Sequence, residues 1–265
     1  KTYTVKVVSD SGNKYRFDDF GTSAVTLDLA EGGTYIFDGS DSSMASHPIK
    51  LSETSNGTHG GGSSYNTGVT YLLDGASVTE SAYVSGYSSA TTRQLKIVVA
   101  ASAPTLYYYC HYHSGMGGAI NTNSSLGSSN FDGSRQATTK VNATAGFSIV
   151  TSTSGGSSGG SYDSFGHGLG VAPNIIILKN RDIADRWYVF NSNLSSANNK
   201  RLALNESTAE NTTSNLWGTS LPSSTTFSID QAGYSGGAGQ KIVAYCFSEV
   251  AGYSKFGSYT GNGSS

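Results

Sequence analysis

The sequence predicts an all-β chain of two β-sandwich domains, and three observations predict it. Charged residues make up 13% of the 265 residues, and 34 residues are Gly. The first share is about half, and the second nearly twice, what a globular domain usually carries. Helical bundles and coiled coils, which need long charged faces, are thereby disfavoured. Apolar and polar residues alternate in short runs, and Gly/Ser-rich punctuation recurs at the even spacing of a sandwich or barrel. Aromatics at 11%, with Tyr 17 and Phe 10, supply bulk for packed cores and argue against disorder.

In chain order, residues 2–8 (TYTVKVV), 24–29 (AVTLDL) and 34–37 (TYIF) alternate with period two and read as strands. Residues 48–51, 65–73, 94–99 and 106–109 continue the series, and no helix is expected in residues 1–120. The stretch 121–134 (NTNSSLGSSNFDGS) has few apolar side chains and many turn formers. The expected division is a first domain over 1–121, a linker over 122–135 and a second domain over 136–265. In the second domain, strands are expected at 146–150, 174–178 (NIIIL), 187–190 (WYVF), 201–204, 226–229 and 241–247 (KIVAYCF), in a jelly-roll-like or similar sandwich. Residues 145–158 (AGFSIVTSTSGGSS) are echoed by 251–265 (AGYSKFGSYTGNGSS). That echo predicts a modular array in which the chain ends on the first strand of a further repeat.

Net charge is -2. Residues 1–122 hold 7 Lys+Arg against 10 Asp+Glu, and residues 123–265 hold 9 against 8, so neither half carries a basic field for nucleic acid. No run approaches the roughly 18 apolar residues of a membrane helix. The chain opens at Lys1 without Met, as a processed, truncated or excised chain does. Its two cysteines, Cys110 and Cys246, fall in different domains, which excludes a disulfide framework.

The strongest constellation is LYYYCHYHSGM over residues 106–116, with Ser46-His47-Pro48 far upstream. Cys110, His113 and Met116 form C-x-x-H-x-x-M, and His47 adjoins an apolar strand. A thiolate, two imidazoles and a weak thioether are the donor set of a blue-copper site, so His47, Cys110, His113 and Met116 are candidate copper ligands. His59 and His111 offer competing nitrogens, which leaves another ligand set or another metal open. On these residues the chain over about 1–120 resembles the cupredoxin family. The resemblance implies a Greek-key sandwich, copper as cofactor and one-electron transfer, or the same sandwich keeping the loop as scaffold. The sequence departs from the family at Pro48, where an N–H donor often ties the two ligand loops together and proline has none.

Longer segments carry a second resemblance. GTYIFDGSDSS, HPIKLS, THGGGS and LYYYC followed by HSGMGG, then DGSRQATTKVNATAGFSIV, GHGLGVAPNIIILKNRD, RWYVFNS and KIVAYCFSEVAGYSKFGSYTGNGS, together resemble modules of predicted structural and fibre-like proteins of marine bacteriophages. The resemblance implies a non-enzymatic virion structural protein: an appendage, fibre or decoration module that self-associates, packs with other virion proteins and meets a host-surface glycan or receptor. The alternatives are a copper protein of the bacterial periplasm or cell surface, and a bacterial surface adhesin.

Weaker patterns yield no catalytic residues. The G-x-S-x-G at 233–237 lacks the strand and helix of a nucleophile elbow and reads as a turn. The run 166–170 (GHGLG) lacks a following helix to hold phosphate, and His167 reads as a packing histidine. Asp182 and Asp185 sit in a short connection where acids usually stay solvated. Trp187, Tyr188, Trp217 and Tyr234 could stack on a sugar, with Trp187 expected in the core and Trp217 exposed. The Asn-x-Ser/Thr sequons at Asn142 and Asn193 follow from composition.

Overall fold

The structure is a computed structural model and describes residues 1–156, 161–212, 216–230, 238–259 and 262. The chain divides into two compact units, Lys1–Ser129 and Asn130–Ser265, and both are all-β. In the first, the elements in order are β1 (Thr2–Ser9), β2 (Asn13–Phe17), β3 (Leu27–Asp28), β4 (Thr34–Asp38), β5 (Ile49–Ser52), β6 (Val69–Leu73), β7 (Ala76–Val78), α1 (Glu80–Gly86), β8 (Arg93–Val98), β9 (Leu106–Cys110) and β10 (Gly118–Asn121). They form a six-stranded sheet, β2-β1-β4-β8-β6-β7, and a four-stranded sheet, β3-β10-β9-β5.

Alternation explains how the two sheets face each other. Tyr3 and Val5 of β1, Tyr15 and Phe17 of β2, and Leu95 and Ile97 of β8 are all fully buried, one residue in two, as the pleat requires. From the other sheet, Tyr108 of β9 meets Phe17 edge to face at 5.0 Å and Tyr15 at 6.3 Å. These contacts close the sandwich.

α1 corrects the expectation of a helix-free first half. Thr79 caps it, its side chain accepting from the Ala82 N–H. Tyr83 and Tyr87, four apart, fall on one face and are fully buried, Tyr83 packing on Tyr71 at 4.8 Å. Seven residues give one apolar repeat, too short for a helical period to emerge from Ser and Gly neighbours. Within the stretch read as linker, Thr122 is buried and its hydroxyl bonds the carbonyls of Ala103 and Pro104. Ser128–Asn130 is itself strand β11.

The second unit continues with β12 (Ala137–Asn142), β13 (Phe147–Thr153), β14 (Tyr162–Gly166), β15 (Ile175–Asn180), β16 (Trp187–Asn191), β17 (Lys200–Ala203), β18 (Asn211–Thr212), β19 (Thr226–Asp230) and β20 (Lys241–Phe247). An eight-stranded sheet runs β11-β12-β13-β20-β15-β16-β17-β18, and β14 pairs with β19. Val150, Ile176, Leu178, Tyr188, Phe190, Ile242, Ala244 and Cys246 line the core side of the large sheet, against Phe165, Phe227 and Ile229 of the small one.

Trp217 corrects a second expectation. It is fully buried, edge to face with Phe190 at 5.7 Å, and its indole N–H donates to the Lys200 carbonyl at 3.2 Å. Trp187 is the half-buried one, stacked with Tyr245 at 6.5 Å. The echoed Ala-Gly-aromatic-Ser openings both hold a glycine at positive φ, Gly146 at 64° and Gly252 at 76°, but the first continues as strand β13 whereas residues 253–259 form no strand. The G-x-S-x-G run and Tyr234 lie outside the described residues.

Candidate metal centre

Cys110 is the last residue of β9, and His47 stands two residues before β5, the strand that pairs with β9. The register sets Ile49 opposite Cys110, so the two segments meet where both strands end. His113 and Met116 follow in the loop leading to β10. Three of the four expected ligands converge here. Ligand atoms of His47, Cys110 and His113 all lie within 4.8 Å of one another. The Cys110 sulfur is 3.8 Å from His47 Nδ1 and 3.6 Å from His113 Nδ1, and the two imidazole rings are 4.6 Å apart. Met116, three residues beyond His113, is buried in the same loop.

These spacings fit a shared ion. A sulfur about 2.3 Å and a nitrogen about 2.05 Å from one metal stand roughly 3.6 Å apart at a tetrahedral angle and roughly 3.8 Å at a trigonal one. Both imidazoles present the nitrogen nearer the backbone. Cys110 is a free thiol, fully buried, His47 is 8% exposed and His113 is exposed. Burial, and then the neighbouring His113, hold the His47 imidazole below its ordinary range, which favours the neutral, metal-binding form.

The loops are anchored independently of any ion. Pro48 offers no N–H, but its carbonyl accepts from the His111 N–H at 2.9 Å. Asn56, from a different loop, supplies the tie between segments: its Oδ1 accepts from the Gly115 N–H and its Nδ2 donates to Ser114 Oγ, both at 2.8 Å. Lys14 donates to the Gly115 carbonyl, the Tyr15 N–H to the Met116 carbonyl at 3.0 Å, and the Tyr15 hydroxyl to the His47 carbonyl at 2.9 Å. Burial, with Cys110 close by, keeps the Tyr15 phenol protonated well above its usual range. Gly117 must be glycine, since a Cβ there would lie 1.7 Å from the Tyr108 carbonyl oxygen.

The competing histidines go elsewhere. His59 Nε2 lies 3.0 Å from the Cys110 carbonyl oxygen. His111 Nδ1 is 3.5 Å from Lys50 Nζ, and Lys50, only 3% exposed, pairs with Glu80. Burial alone would raise the Glu80 carboxyl, but hydrogen bonds from Lys50, Ser64 and Asn66 outweigh it and bring it down to about 2. Sequence reasoning missed Asn56 and Tyr15, and it read His59 as a competing nitrogen where the structure sets it on the Cys110 carbonyl. Each lies far along the chain from the ligand it supports, and only the fold brings them together.

In the second unit, His167 is fully buried with both nitrogens engaged, Nε2 at 3.2 Å from the Ser223 carbonyl and Nδ1 accepting from the Leu169 N–H at 3.2 Å. Asp182 accepts from the Lys241 N–H, and Asp185 from the Arg186 N–H and the Tyr188 hydroxyl. These acids brace turns between strands.

Residues 121–265, more than half of the chain, match a family described as a domain of unknown function (DUF7483). No curated protein and no solved structure matches the chain. The ligand cluster lies before the matched segment.

Proposed function

We propose that this chain, which belongs to the DUF7483 family through residues 121–265, carries in its first unit a copper centre that passes single electrons. The observation that carries the reading is the convergence of one thiol sulfur and two imidazole nitrogens within 4.8 Å, on segments already fixed by their own hydrogen bonds. Cys110 would supply the thiolate, His47 and His113 the imidazoles, and Met116 a weak thioether contact. Bound copper supplies a one-electron couple. Buried His47 closes one side of the site to water, and exposed His113 leaves the other open to a partner. Because hydrogen bonds and strand pairing already hold the loops, an ion is not needed as a staple, which favours a redox role.

The test is a visible spectrum during copper(II) titration of the full chain. An intense thiolate-to-copper band saturating at one equivalent supports the centre. No band at saturating copper retires it and leaves the loop as scaffold.

One observation favours a second, compatible reading, that the chain is a structural module of a virion appendage. On the face of the eight-stranded sheet opposite its core, Phe147, Ile149, Ile177, Val243, Tyr245 and Phe247 form a half-buried apolar field. Such a field suits packing against neighbouring protein, another copy or a further virion component. Absence of the protein from purified particles of its source phage retires this reading, and with it contact to a host-surface glycan or receptor.

A further inference from the structure

We propose, resting on the copper reading above, that His59 is a positioning residue for the metal centre, holding in place the peptide carbonyl of the thiolate residue. Backbone groups of successive strand residues point to opposite neighbours. The His111 N–H faces β5, where it donates to Pro48, so the Cys110 backbone faces the other side. There the β9–β10 ladder ends at the Gly118–Tyr108 pair, two residues short of Cys110, because the chain has left the sheet to form the ligand loop. Among the described residues, no strand reaches the Cys110 carbonyl from that side. His59 takes the strand's place, its Nε2 3.0 Å from the oxygen. A carbonyl only accepts, so the ring proton sits on Nε2.

The turn that delivers His59 is itself seated on the sheet. Gly57–Gly60 forms a 3-10 turn in which Gly57 has φ 56°, and a Cβ there would come within 2.4 Å of the Tyr109 ring. The His59 imidazole stands edge-on to the same ring at 6.4 Å. Asn56, immediately before this turn, binds Ser114 and Gly115. One short segment therefore grips the peptide of Cys110 at one end of the ligand loop and the turn between His113 and Met116 at the other. Loss of such an outer hydrogen-bond partner typically weakens metal binding about 10–100-fold.

The experiment compares the full wild-type chain with His59→Phe and His59→Gln, reading copper(II) affinity by chelator competition and the position of the thiolate-to-copper band. His59 is exposed, so both variants are expected to fold. His59→Phe should bind at least about tenfold more weakly, with a displaced band. His59→Gln, whose amide N–H can reach the same carbonyl, should recover most of the affinity. A His59→Phe protein with wild-type affinity and band, or a Gln variant as weak as the Phe one, overturns the assignment. A wild-type protein with no band overturns the copper reading itself, before either variant is compared.

Discussion

Cys110 and Cys246 are both free and both buried, yet among the described residues only Cys110 belongs to a ligand cluster. Cys246 lies within β20, flanked in register by Ser148 of β13 and Ile176 of β15. Burial pushes its thiol up to about 12, so at neutral pH it packs as a small apolar side chain. Cys110 ends its strand, and two imidazoles from two segments stand within 4 Å of its sulfur. The histidines divide the same way. His167 spends both nitrogens on the backbone of its own unit, whereas His47 and His113 turn one nitrogen each toward the same sulfur. Residue type alone does not make a ligand; a strand end where two loops converge does.

The largest expected effect breaks or keeps this comparison directly. Cys110→Ser should abolish the thiolate-to-copper band and lower copper affinity by more than the roughly 10–100-fold that an outer partner commands. Cys246→Ser should leave both unchanged. A band that survives Cys110→Ser, or vanishes in Cys246→Ser, reverses the roles assigned here. Absorption spectra of the two variants at equal copper loading decide it.

The second prediction concerns what the second unit's large side chains are for. Trp217→Ala should cost about 3–5 kcal/mol of stability, because the indole is fully buried against Phe190. Tyr253→Ala, at a residue 77% exposed, should change stability by no more than about 0.5 kcal/mol. Denaturant unfolding of each variant reads the difference. A Trp217→Ala cost as small as that of Tyr253→Ala would return the tryptophan to the surface.

How far these sites could be read in the sequence depended on distance along the chain. The run KIVAYCF announces β20 with identical bounds, because its alternation is local and nothing competes with it. β2 stayed hidden in NKYRF, where only Tyr15 and Phe17 carry the apolar pattern and the polar residues between them mimic a turn. SNLWGTS likewise has turn composition, and only packing against a residue 27 positions earlier makes Trp217 core. At the candidate centre, the ligand types and their order were legible, since C-x-x-H-x-x-M is a local pattern. The support was not: Asn56 reaches Gly115 and His59 reaches Cys110 across more than 50 residues, contacts that no spacing encodes.

The smallest expected effect separates the buried histidine of the second unit from those of the first. Burial holds the His167 imidazole below its ordinary value, with the Ser223 carbonyl and Asp132 pulling weakly the other way. In the unfolded chain the same imidazole takes up a proton near pH 6.5. The folded state disfavours that proton, so His167 contributes its full stability above about pH 6.5 and loses it as the pH falls toward the lower folded value. The slope is at most about 1.4 kcal/mol per pH unit for one proton. His47 and His111 shift in the same direction in the first unit, so an unfolding signal from the whole chain would mix them. Both tryptophans, Trp187 and Trp217, lie in the second unit, and their fluorescence therefore reports that unit alone. Stability read by fluorescence-detected unfolding should fall as the pH drops below about 6.5 in the wild type, and His167→Gln should flatten that dependence. An equal slope in the variant would assign the proton to another group and leave His167 as packing only.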